Sequence, residues 1–167
     1  MKFQVKEKLF AIGSDFEIKD SEGDHAYLFD GHALSWPKKT RVYDQNKICV
    51  GEILEDAFAI KEKFRLKVDG KLKARVIKNW TILRKEFILR IPGEDDIMVT
   101  GSFITHNYKF TRGRKEIARV GKDILGLSDR YSIYIEDEAY ALAVLTTVIA
   151  IDNTLYVAKK SHGFVTS

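Results

Sequence analysis

Residues 139–151 read AYALAVLTTVIAI, thirteen in a row without a charge and with apolar side chains on every face, so any fold this chain adopts has to enclose that segment on all sides. A membrane-spanning helix needs about 20 such residues, which makes this a buried core segment rather than a span. Neither the strand period nor the helix period stands out within it. Ala139, Ala141, Leu142, Ala143 and Leu145 favour helix, whereas Thr146, Thr147, Val148, Ile149 and Ile151 are β-branched and favour strand. The acidic Glu136, Asp137 and Glu138 directly before it suit the positive end of a helix dipole.

Residues 3–135 follow a different grammar of short alternating apolar and polar runs rich in Val, Ile, Phe and Tyr. The alternation predicts strands at 15–19, 25–29, 48–54, 58–68, 72–77, 85–91, 97–103, 107–112, 116–120 and 131–135. Clusters at 21–24, 44–47, 69–70, 92–95 and 112–114 separate them with the Gly, Asn or Asp that a chain reversal needs. Pro37 and Pro92 stand only at run edges, where no ladder donor is lost. Successive antiparallel hairpins follow, and a helix running inside a β-barrel reconciles them with the enclosed segment. No 20–50-residue repeat appears, which disfavours a propeller or solenoid.

At 167 residues the chain fits one domain, able to bury roughly 68–70% of its unfolded surface without a disulfide or metal staple. Cys49 has no second cysteine to pair with, which suits a reducing cytosol. It lies between Ile48 and Val50 without an activating base, so a buried, inert thiol is expected. The N-terminus mixes both charge signs and does not read as a signal peptide.

Ordered short motifs run along this frame. Thr100-Gly101-Ser102-Phe103, then Tyr108-Lys109-Phe110-Thr111-Arg112-Gly113-Arg114-Lys115-Glu116-Ile117-Ala118-Arg119-Val120, Leu127-Ser128-Asp129-Arg130-Tyr131-Ser132-Ile133 and the apolar segment ending Ala150-Ile151-Asp152 resemble the C-terminal half of LURP-one-related, or YxjI-type, proteins. Asp20-Ser21-Glu22-Gly23 and Asp44-Gln45-Asn46-Lys47 resemble that family's paired D-x-x-G hairpins, with Asn46-Lys47 where glycine is common in the second. The resemblance covers about residues 6–152. It implies a mainly β fold like that of tubby C-terminal domains and phospholipid scramblases, a closed antiparallel twelve-strand barrel enclosing one hydrophobic helix near the C-terminus. The helix would lie at about 138–151 in a single domain of residues 1–157, with 158–167 as a tail. The resemblance implies no catalytic motif. Tubby domains bind phosphoinositides through basic residues and scramblases act at membranes with calcium, and a shared fold does not by itself transfer either property.

Charge is the most informative local feature. Residues 61–90 hold eleven basic residues against three acidic, a net of +8, which leaves −4 for the rest of a +4 chain. Lys61, Lys63, Arg65 and Lys67 alternate with mostly apolar residues, and Lys71, Lys73 and Arg75 do the same on the next run, so each strand has a charged face. A three-residue loop, Val68-Asp69-Gly70, keeps the faces consistent and sets Lys67 opposite Lys71, Arg65 opposite Lys73 and Lys63 opposite Arg75. Like charges so placed are destabilising and invite an anionic partner. Exposed lysines are also common on solvated faces and guard strand edges, and neighbouring strands are able to supply carboxylates, so both readings stand. Two smaller basic tips, Trp36 to Arg41 and Thr111 to Lys115, either assist such a face or are ordinary strand ends.

Enzyme signals are poor: no G-x-G-x-x-G, P-loop, G-x-S-x-G or H-E-x-x-H occurs, and His25, His32, His106 and His162 lack ligand spacing. The acidic clusters at 94–96 and 136–138 lack the ligand spacing of a calcium loop. No catalytic residue, metal or cofactor is therefore predicted. The leading expectation is a cytoplasmic, non-enzymatic binding module, peripheral at the inner membrane surface, whose Lys61, Lys63, Arg65, Lys67, Lys71, Lys73 and Arg75 recognise an anionic phospholipid or phosphoinositide headgroup. The alternative is a protein-interaction or structural scaffold. Nucleic acid ranks lower, because the only aromatic of the hairpin, Phe64, points to the other face.

Overall fold

A computed structural model describes residues 1–6, 15–30, 39–56, 63–81, 85–122 and 130–163. Among them are twelve strands: β1 (Lys2–Lys6), β2 (Phe16–Asp20), β3 (His25–Asp30), β4 (Lys39–Asp44), β5 (Cys49–Glu55), β6 (Lys63–Val68), β7 (Lys71–Trp80), β8 (Lys85–Arg90), β9 (Ile97–Ser102), β10 (Asn107–Arg112), β11 (Lys115–Lys122) and β12 (Arg130–Ile135). Each pairs antiparallel with its sequence neighbours, and β1 pairs with both β2 and β12, so the sheet closes as a barrel. Strands β1 and β4, KFQVK and KTRVYD, are additional to the expected runs; β1 nonetheless alternates, with Phe3 and Val5 inward. The first part of the expected run 58–68 lies outside the described residues.

After a 3-10 turn at Glu138–Tyr140, whose first N–H groups are capped by Asp137, the helix α1 runs over Ala141–Gly163. Ala141, Ala143 to Ile151 and Thr154 are all buried, so the helix is covered on every face by the inward side chains of the strands. Thr147 and Thr154 fit because they donate to the carbonyls of Ala143 and Ala150, at 2.8 and 2.9 Å, within the helix itself, whereas the buried Thr146 hydroxyl has no hydrogen-bond partner among the described residues. By length and composition Glu138–Leu155 would be long and apolar enough to cross a membrane, but 61% of it is buried inside the barrel, as for a core helix. The expected helix end at 151 is corrected: the helix continues to Gly163, into the stretch expected as a tail. Asp152 and Asn153 are polar without being helix breakers, so the loss of apolar pattern there does not stop the helix.

Antiparallel order assigns the connections to two ends. The reversals at 21–24, 45–48, 69–70, 91–96 and 113–114 share the end at which the helix enters, and the β9–β10 turn at 103–106 lies at the other. At the entrance, Arg112 pairs with Glu94 and donates to the Tyr140 hydroxyl at 3.0 Å. At the far end, Asp152 of the helix meets Tyr131 and His106.

Candidate functional site: a basic outer face on β6–β8

The hairpin β6–β7 turns on Asp69 and Gly70 alone, both with positive φ, +51° and +73°. That is the two-residue primed turn for which Asp-Gly is suited. The three-residue loop is therefore corrected, as are the pairs it implied: Val68 lies opposite Lys71, and Arg65 opposite Arg75. Consistent faces are recovered by a bulge, since Leu66 pairs with Ala74 but Lys67 with Leu72, leaving Lys73 as the extra residue. Phe64, Leu66, Ala74 and Val76 still point inward. The same device, one extra residue on the second strand, recurs in the hairpins β2–β3, β4–β5 and β10–β11. In β4–β5 it puts Cys49 opposite Tyr43, and Cys49 is exposed rather than buried.

Of the seven expected site residues, Lys61 lies outside the described residues and the side chain of Lys63 is not described. Carboxylates answer two of the others. Arg65 Nε lies 3.9 Å from Asp56. Lys67 lies opposite Glu52, which also receives Lys39 Nζ at 2.5 Å and Arg41 Nε at 3.9 Å. The hydrogen bond from Lys39, helped by the charges of Lys39, Arg41 and Lys67, holds the Glu52 carboxyl below its ordinary range against a desolvation that raises it. Lys71, Lys73 and Arg75 are exposed and have no carboxylate partner among the described residues.

The expected site stops at Arg75, although the next strand is itself expected at 85–91. Arg90 on β8 lies directly opposite Arg75 and makes a two-pronged pair with Asp96, Nε to Oδ1 at 2.8 Å and Nη2 to Oδ2 at 2.7 Å. This pair raises the Arg90 guanidinium and lowers the Asp96 carboxyl from their ordinary values. The composition of residues 81–84 carries no turn signature, so no pattern in the sequence aligns the two arginines.

The smaller basic tips are partly occupied. Lys39 and Arg41 serve Glu52, Arg112 serves Glu94 and Tyr140, and Trp36, Pro37 and Lys38 lie outside the described residues. The acidic clusters supply Glu94 and Asp96 to arginines and Asp137 to the helix start. Among the described residues no three of His, Cys, Asp and Glu converge as metal ligands. His25 pairs with Glu17, while His106 stacks on Tyr131 with ring centroids 4.3 Å apart and its Nε2 lies 3.4 Å from Asp152.

The model of a family described as LURP-one-related matches residues 1–152. A Bacillus subtilis (strain 168) protein named "Uncharacterized protein YxjI" is 20% identical over 152 residues, 91% of this chain and 92% of that one. The X-ray structure of an Arabidopsis thaliana protein, 16% identical, superposes with a TM-score of 0.63 over 92% of this chain and 91% of that chain, a likeness of fold.

Proposed function

The chain belongs to the LURP-one-related family, and on that premise we propose that it is a non-enzymatic binding module that recognises anionic phospholipid headgroups through the outer face of β6–β7. The observation that carries this reading is exposed Lys73 and Arg75 on the outer face of one strand, with exposed Lys71 beside the turn opposite Val68, none of the three with a carboxylate partner among the described residues. Arg65 and Lys67 border it on the adjacent strand. Basic residues close to an anionic bilayer contribute about 1 kcal/mol each, so three to five of them give reversible, peripheral attachment at the inner membrane surface. The barrel serves as a rigid frame: the inward faces of both strands are held by the core, so the backbone that displays the cations needs no ordering on contact.

Co-sedimentation with phosphatidylcholine vesicles, with and without phosphatidylserine, at low and physiological salt tests the proposal. Binding that requires the anionic lipid and weakens steeply with salt is expected. Binding to neither vesicle at low salt contradicts it and turns attention to a protein partner.

A further inference from the structure

Arg65, Arg75 and Arg90 form one row across three strands, Arg65 opposite Arg75 and Arg75 opposite Arg90. With about 4.8 Å between neighbouring strands, the row spans about 10 Å of backbone. Like charges in direct opposition are destabilising, so the row is a cost to the fold. Its ends are answered by Asp56 and Asp96, while Arg75 in the middle is exposed and has no carboxylate among the described residues. Arg65 Nε is buried and has no hydrogen bond among those residues, and the pair with Asp96 engages Nε and Nη2 of Arg90, leaving Nη1 outside it.

Resting on the anion-binding reading above, we propose that this row selects a phosphate monoester, with Arg75 as the residue that determines specificity. A guanidinium presents its N–H groups as a planar fork that takes two phosphate oxygens at once, which an ammonium does not. A monoester offers three terminal oxygens and close to two negative charges near neutral pH. Two oxygens meet Arg75, and the third is left for Arg65 or Arg90. A diester, with two terminal oxygens and one charge, satisfies Arg75 alone. Lys71 and Lys73, farther along β7 toward the turn, add attraction without discriminating.

The test compares phosphatidylcholine vesicles carrying phosphatidic acid, a monoester, with vesicles carrying phosphatidylserine, a diester, at matched surface potential. The wild type is expected to bind the first about tenfold more tightly. Arg75→Lys, which keeps the charge and loses the fork, is expected to bring the ratio near one and leave binding to phosphatidylserine in place. Soluble glycerol 3-phosphate, titrated at constant ionic strength and followed by NMR shifts, separates the sources. A response lost in Arg75→Lys without preference among vesicles supports the same site with a free phosphate as its ligand. Equal binding to both vesicles with no response to glycerol 3-phosphate, or an Arg75→Lys variant that keeps the wild-type preference, overturns the monoester row and leaves the anion-binding face standing. No binding to either vesicle or to glycerol 3-phosphate overturns both.

Discussion

Tyr131 donates a 2.6 Å hydrogen bond to Oδ2 of Asp152 inside the barrel, joining β12 to a helical carboxylate that is itself only 7% exposed. Hydrogen bonds to a charged group are worth about 1.5–3 kcal/mol, and removing the donor leaves a buried oxygen short of a partner. Tyr131→Phe is therefore expected to lower stability by that amount, read from the urea midpoint at unchanged slope. Leu145, fully buried on the same helix, gives the extreme case: Leu145→Asp places an unpaired charge in the core and is expected to prevent folding. A native melting temperature in that variant would mean the helix is not the core.

The two D-x-x-G-like turns are built alike. Asp20 accepts from the backbone N–H groups of Glu22 and Asp24, and Asp44 from those of Asn46 and Ile48, at 2.9–3.0 Å. Their fourth positions both have positive φ, +91° at Gly23 and +61° at Lys47. A non-glycine residue there costs roughly 1–2 kcal/mol, partly offset because glycine loosens the unfolded chain. Lys47→Gly is expected to gain about 0.5–1 kcal/mol, and thermal unfolding beside wild type measures it.

Gly101 permits no such exchange. Its φ is +139°, and a Cβ would stand 2.5 Å from the backbone oxygen of Asn107 and 2.6 Å from the Cα of Tyr108. Gly101→Ala is expected to cost about 2–4 kcal/mol through strain at the β9–β10 pair, visible in chemical denaturation.

Stability should fall at both extremes of pH. Asp96, held low by Arg90, and Glu52, held low chiefly by Lys39, contribute stabilisation that is present above their unfolded values. It is lost as pH falls from about 4 through the depressed folded values. Because both pairs are solvent-accessible, the acid slope is shallow, and Asp96→Asn should flatten it further. Burial, with the nearby Asp152 charge, pushes the Tyr108 phenol well above its ordinary value, so it stays neutral in the fold. The unfolded chain releases that proton from about pH 10, and stability falls as pH rises beyond it. Spectrophotometric titration should show phenol ionisation that coincides with unfolding.

What the sequence makes legible is whatever alternation and turn chemistry encode. Phe64, Leu66, Ala74 and Val76 reveal which face is inward, and Asp69-Gly70 marks a reversal. Register depends on the bulge at Lys73, which no residue type signals, so the cross-strand partners of Arg65 and Arg75 were misplaced. The carboxylates that answer Arg65 and Arg90 come from the β5–β6 and β8–β9 connections next to the arginines' own strands, and which carboxylate turns back onto which arginine depends on hairpin geometry that residue type alone does not encode. For Cys49 the apolar neighbours Ile48 and Val50 suggested burial, but Ile48 sits in the turn and the bulge turns Cys49 outward.

The most direct measurement compares two charge-matched variants for binding to phosphatidylserine vesicles at low salt. Lys71→Glu/Lys73→Glu/Arg75→Glu reverses the proposed face, and Lys2→Glu/Lys109→Glu/Arg119→Glu reverses an equal charge on β1, β10 and β11, away from β6–β7 around the barrel. Loss of binding in the first with retention in the second is the expected result. Equal loss in both would mean that net charge alone drives attachment, and would contradict a dedicated face on β6–β7.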